Sequence, residues 1–390
     1  MKRRLAAHLS LWLVGAALVR VAIVPAEICP PVTAAQVSQA IIEAADWMAL
    51  GIDGDGRYVY GYDLETDTEA SGYNSARHAG VTMSLYQVYE ATGEPRYLEA
   101  ADAGIGYMLD RIEQGQGWLA WGEGADRPTG ANGLLLAALS LRRRATADPR
   151  YDDVMRGVGA FLVHQQEPTG AISASLDPGT GEPDGGHGPF ATGEAAWALV
   201  LLGQVLPGEG WAEAALPTID YIATERDRAE GYIARLPDHW AAYAVAELPS
   251  GYLDATRLGL AERLAGYFGM RLRFEASRSG EGINLWVRWY PGPPAGVGTA
   301  GEGIGAIHRL ALTQPALEGL AANIEERLVC TAGIMVERQV SVADAAGLPS
   351  PALAGGAWFY RGQTQMDGQQ HVVSALLAAL PIIEAREASR

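Results

Sequence analysis

The stretch Thr192-Gly193-Glu194-Ala195-Ala196-Trp197-Ala198-Leu199-Val200-Leu201-Leu202 begins polar and then turns apolar on every side. A helix that is hydrophobic all round belongs in an interior. The same design recurs along the chain. Asn74-Ser75-Ala76-Arg77-His78, Thr129-Gly130-Ala131-Asn132, Pro237-Asp238-His239-Trp240, Thr299-Ala300-Gly301-Glu302 and Asp367-Gly368-Gln369-Gln370-His371 each precede an Ala-rich run. These runs predict inner helices over roughly 76–91, 130–144, 191–206, 238–248, 300–313 and 368–385.

Between them lies a second kind of helix, with more charge. Gly93-Glu94-Pro95-Arg96-Tyr97, Asp148-Pro149-Arg150-Tyr151 and Gly208-Glu209-Gly210-Trp211 each open one, and an aromatic returns ten residues on, as Tyr107, Phe161 and Tyr221. Gly251-Tyr252 begins a less regular copy, and helices near 34–50 and 315–330 complete the set. Such self-similarity marks stacked supersecondary units. Buried helices alternating with amphipathic ones close most simply into a double ring. The predicted fold is therefore all-α: an (α/α)6 toroid of about twelve helices, with short β-hairpins or loops capping one face. The loops at 58–63, 117–121 and 284–290 are rich in Gly, Trp and Tyr and alternate like short strands.

In such a ring the inner helices run parallel, so their starts meet at one mouth. Helix N-termini add positive potential there. Asn, Asp, Thr and Ser are also ordinary N-caps, which suits Asn74, Thr129, Thr192 and Asp367. Capping does not account for Arg77, His78, His239 and His371, because a cation or imidazole gains nothing from a helix start.

The 390 residues carry 46 Asp and Glu against 29 Lys and Arg, a net charge of -17, which argues against a nucleic-acid partner. No Ser/Pro/Gly linker divides the chain, so residues 29–390 are expected to form one toroid domain. Residues 1–28 read differently. Lys2, Arg3 and Arg4 precede a stretch from Leu5 to Val24 that is apolar apart from His8, Ser10 and Arg20. That is the pattern of a signal peptide or an N-terminal membrane anchor. It predicts a periplasmic, membrane-anchored or secreted protein, touching the membrane through this segment and open to envelope protein partners. The two cysteines, Cys29 and Cys330, exclude a thiolate zinc site and permit one long disulfide. No cofactor and no metal are expected. Phosphate-loop and dinucleotide fingerprints are missing, and Asp53-Gly54-Asp55 lacks the spaced acidic ligands of an EF-hand.

Arg77-His78-Ala79-Gly80, with Leu85-Tyr86 and Gly93-Glu94-Pro95-Arg96-Tyr97-Leu98, resembles the six-hairpin toroid proteins of carbohydrate metabolism. Pro237-Asp238-His239-Trp240 and Asp367-Gly368-Gln369-Gln370-His371-Val372-Val373-Ser374-Ala375 resemble motifs of bacterial members of that superfamily. Pro294-Ala295-Gly296 followed by Gly301-Glu302-Gly303 is similar to the helical domain of glucuronyl epimerases. The resemblance spans about residues 55–385. It implies the toroid fold and a saccharide or polysaccharide ligand. It does not choose among hydrolase, lyase, epimerase and non-catalytic roles.

The leading expectation is a glycoside hydrolase-like enzyme, with Asp238 and Glu194 as the carboxyl pair such chemistry needs and His239 as a third catalytic candidate. Arg77, His78, Asn132, Trp240, Arg288, Tyr290, Glu302, Asp367, Gln370 and His371 would bind the sugar. Trp118, Trp121, Trp286, Trp289 and Tyr290 are candidate stacking platforms. One alternative is a uronate epimerase or lyase, with Arg77 or Arg288 holding a carboxylate and His239 or Tyr290 moving the proton. Another is a non-catalytic saccharide-binding or scaffold subunit of an envelope membrane assembly.

Overall fold

The computed structural model describes residues 2–19, 26–122, 126–177, 179–232, 237–278 and 290–390. Along the toroid the helices alternate between an outer and an inner ring. The outer ones are α1 (Ala34–Leu50), α3 (Pro95–Leu109), α5 (Asp152–His164), α7 (Trp211–Thr224), α9 (Ala255–Ala276) and α11 (Glu318–Arg338). The inner ones are α2 (Ser75–Thr92), α4 (Thr129–Thr146), α6 (Ala191–Val205), α8 (His239–Glu247), α10 (Pro294–Ala311) and α12 (Met366–Ala388). Each inner helix packs on the next, and α12 returns to α2, so the inner ring closes. The outer helices back onto it, with α1 against α12 and α2. The fold is the (α/α)6 toroid.

Burial follows the composition. Ala191 to Leu202 of α6 are buried without a break, whereas α3 buries one face through Tyr97, Ala101, Ile105 and Met108. Several polar groups inside the ring pair with one another, as burial favours. At the closing seam Ser84 of α2 meets Ser374 of α12 at 3.0 Å, and Ser374 donates to Gln87 Oε1 at 2.7 Å. Arg142, at 2% exposure, reaches from α4 to Asp102 of α3 at 2.7 Å.

Connections from inner to outer helices are short, whereas those from outer to inner helices are long and carry the strands. Strands β1 (Gly61–Asp63), β2 (Thr68–Glu69) and β5 (Gln363–Gln365) form an antiparallel sheet in the order β2-β1-β5, with Tyr62 opposite Glu69 on one side and Thr364 on the other. Strands β3 (Ile112–Gln114) and β4 (Leu119–Trp121) form a hairpin. The cap therefore sits on the face where the inner helices start.

One boundary moved. Helix α10 begins at Pro294, not near residue 300, because proline at the first helical position needs no amide partner. Glu302 therefore lies inside the helix, not at its mouth.

Helix Lys2–Leu18 exposes Leu11, Trp12 and Leu13, and among the described residues no helix is long and apolar enough to cross a membrane. Beyond it the chain is stapled to the ring. Ile28 donates its N–H to the Ala276 carbonyl at 2.7 Å, Cys29 is disulfide-bonded to Cys330 of α11, and the Ala34 N–H meets Glu387 at 3.0 Å.

Candidate functional site

A cavity of about 400 Å³ opens among the inner-helix starts and takes side chains from the whole inner ring. Arg77 comes from α2, Leu134 from α4, Glu194 from α6, His239 and Trp240 from α8, Thr299 from α10, and Asp367, Gln370 and His371 from α12. Phe190 and Arg271 of α9 complete the wall. Asn74 caps α2 and Asp238 caps α8, whereas α4, α6, α10 and α12 begin with no side-chain cap. The Thr129 and Met366 amides are instead taken by the Ala174 and Tyr60 carbonyls, and Pro294 has no N–H to offer.

At the floor, Glu302 lies fully buried between two imidazoles. Its Oε2 is 2.7 Å from His371 Nδ1 and 3.5 Å from His239 Nε2, and the two rings stand 5.0 Å apart, nearly perpendicular. Burial raises the Glu302 carboxyl, and the imidazole of His371 pulls against that. Glu302 thus holds the His371 ring through Nδ1, and His371 lines the cavity. His239 is 3% exposed, and neither of its ring nitrogens has a hydrogen-bond partner. Burial, with repulsion from His371 and Arg271, holds it well below the usual imidazole range and therefore neutral. A buried polar group without a partner is costly and rare, so this imidazole is poised for something that enters.

Glu194 also faces the cavity. Burial, with the neighbouring Asp238 carboxyl, pushes it up to about 8. Glu194 fits because Gly130 lacks a side chain, and Asp238 because Gly193 does. A Cβ on Gly130 would run into Glu194 Oε2, and one on Gly193 would run into the Asp238 carboxylate.

The structure brings Glu194, His239, Trp240, Arg77, Asp367, Gln370 and His371 together at the mouth. Arg77 is 3.2 Å from Asp367 and donates to the Tyr60 hydroxyl. Trp240 stacks on Trp197 at 5.3 Å and lies 4.1 Å from the His239 ring. Other candidates stand away from the cavity. Asp238 is fully buried, 2.5 Å from Arg226, and accepts the Ala241 N–H, so its carboxylate is spent on the cap and the ion pair. His78 points outward, bonded to the Tyr73 hydroxyl and the Gly104 carbonyl, and burial pushes it down to about 4. Asn132 holds both backbone groups of Trp121. Tyr290 is exposed beside Tyr360. Trp121 is buried, and Trp118 packs on Phe161 and His164. Arg288, Trp286 and Trp289 lie outside the described residues.

Sequence reasoning missed Arg271, Arg226 and the convergence of His239, Glu302 and His371. Ligand atoms of those last three all lie within 4.8 Å of one another, and two imidazoles with one carboxylate suit a divalent transition metal. The sequence reading expected no metal, since no spacing motif joins residues on three separate helices.

A larger cavity, about 970 Å³, opens at the opposite end of the ring. Its charged groups satisfy one another: Arg144 with Glu90 at 2.8 Å, Arg309 with Glu247 at 3.5 Å, His308 with Glu325 at 3.2 Å. Size favours that cavity and chemistry favours the mouth, where the buried imidazole of His239 is unanswered.

No family model matches the sequence, and no curated protein sequence matches it. Among solved structures, the chain is similar to a cellobiose 2-epimerase from Spirochaeta thermophila, with a TM-score of 0.60 at 14% identity over 90% of this chain and 96% of the other. It is similar to a D-mannose isomerase, with a TM-score of 0.59 at 13% identity over 88% and 97% of the two chains. It is also similar to an α-1,6-mannanase from a Salegentibacter species, with a TM-score of 0.59 at 14% identity over 90% and 99%. At these identities the likeness is one of fold.

Proposed function

We propose that the mouth is a saccharide site and that the enzyme moves a proton at a carbon next to a sugar carbonyl or carboxylate, as an isomerase or epimerase does. The observation that carries this reading is the pair of imidazoles on α8 and α12, one without a hydrogen-bond partner and one bonded to Glu302. One imidazole takes the proton from carbon, and an enediol or enediolate forms. The other returns a proton, to the opposite face in an epimerase or to the neighbouring carbon in an isomerase. The step is balanced without a redox partner. Uncapped helix starts favour the negative charge that develops on the sugar oxygen. Trp240 and Phe190 offer apolar faces for the ring. The toroid fold shared with sugar isomerases, epimerases and glycosidases supports a saccharide substrate.

The test is to incubate the protein with reducing hexoses and hexuronates in D2O and follow the carbon-bound protons by NMR. Deuterium should wash in at the carbon beside the carbonyl or carboxylate, and not with His371→Asn. Binding without exchange or turnover would instead support a non-catalytic saccharide-binding subunit.

A second reading is hydrolysis. It is favoured by Glu194, which is held protonated near neutral pH and so equipped as a general acid. Release of new reducing ends from oligosaccharides, lost in Glu194→Gln, would select it.

We also propose export, with residues 1–28 as signal or anchor and 29–390 as the working domain. The basic start, the apolar stretch and the Cys29–Cys330 disulfide support an oxidising compartment. Membrane fractionation of the full chain tests it.

A further inference from the structure

We propose that the mouth selects saccharides carrying an anionic group, a carboxylate or a phosphate ester, and that Arg271 grips that group. This inference rests on the saccharide reading and names the substrate class for the same site.

Arg271 projects from the outer helix α9 through the gap left by Gly296, whose missing side chain makes room for Nη2. Its neighbours are all engaged: Arg273 with Glu27 at 3.0 Å, Arg278 with Glu275 at 3.1 Å, Arg338 with Glu275 at 2.5 Å. The other arginine at the mouth, Arg77, is matched by Asp367. Among the described residues Arg271 has no hydrogen bond or ion pair, although it is half-buried and lines the cavity. A guanidinium presents a planar fork that fits carboxylate and phosphate oxygens two at a time.

Two further observations point the same way. The starts of α6, α10 and α12 reach the cavity without side-chain caps, so their dipoles favour negative charge there. His239, buried and unpartnered beside Arg271, can donate one N–H to the same group. The chain is acidic as a whole, so this local positive ground is an exception to its surroundings, as a selective anion site must be.

The experiment is calorimetric titration of the full chain with glucose, glucuronate and glucose 6-phosphate, repeated with Arg271→Gln and Arg271→Lys. We expect at least one of the anions to bind about tenfold to a hundredfold more tightly than glucose, as a charge-assisted contact supplies. Which anion wins identifies the group. Arg271→Gln should erase that preference, bringing the anions down to the affinity that the same variant shows for glucose, and Arg271→Lys should keep part of it. Glucose binding as tightly as both anions would overturn this inference and leave the saccharide reading standing. So would a preference that survives Arg271→Gln. Binding of none of the three would overturn both.

Discussion

Replacing Glu194 with glutamine should stabilise the protein at alkaline pH, although it alters the centre of the mouth. The carboxyl titrates near 8 in the folded chain against an ordinary 4.5. Between those values the folded state holds a proton that the unfolded state has lost, so stability falls as pH rises and levels off above pH 8. About 3.5 pH units at about 1.36 kcal/mol each gives roughly 5 kcal/mol. Water entering the open mouth around the ionised carboxylate screens part of this, leaving about 2–3 kcal/mol. Glutamine keeps the shape beside Gly130 and carries no charge to desolvate. Urea unfolding of both proteins, followed by tryptophan fluorescence at about pH 5, 7 and 9, should give curves that nearly coincide at the acid end and diverge above it. The variant should be the more stable one. Parallel stabilities across the range, or a less stable variant at the alkaline end, would refute the account of Glu194 as a buried acid held neutral.

The remaining predictions concern the staple, the floor and the outer face. Cys330→Ser should cost about 3–5 kcal/mol, because the disulfide closes a loop of 301 residues; equal unfolding midpoints with and without it would contradict this. His239→Ala should abolish ligand binding or turnover and leave the melting temperature within a few degrees, since its nitrogens hold no protein group; a variant that unfolds, or one that keeps full activity, would make it a core residue. If the imidazoles carry protons rather than a metal, prolonged dialysis against a chelator should leave turnover intact, and chelator-sensitive turnover restored by a divalent ion would assign His239, Glu302 and His371 as ligands. His78, pushed down to about 4, must stay neutral in the fold, so its contribution should be lost as pH falls from the ordinary 6.5 towards 4. His78→Gln should flatten that part of the stability profile, which an unchanged acid limb would disprove.

The ring was legible in the sequence because two kinds of helix alternate in it. Runs such as Ala195 to Leu202 can only be interior, and Tyr97, Tyr107 and their counterparts mark the outer copies. The mouth followed from geometry alone, since parallel inner helices bring their starts together. Which polar residues would face it did not follow. Asp238 and His239 are adjacent, yet one turns to the cap and Arg226 while the other turns to the cavity. His78 and His371 both sit near helix starts, but Tyr73 and Gly104 take the first outward. Arg271 lies on an outer helix, where no periodicity signals an inward reach past a glycine. The disulfide joins residues that only a closed ring makes neighbours.

The most direct test is a crystal structure of the protein with a reducing sugar or the matching sugar acid bound. The account predicts the ligand in the mouth, its carbonyl or carboxylate end between His239 and His371, with the exchanging carbon within about 4 Å of an imidazole nitrogen, near-attack range for proton transfer. A sugar seated instead in the larger cavity at the opposite end, among Arg144, Arg309 and Tyr243, with the mouth imidazoles untouched, would contradict it.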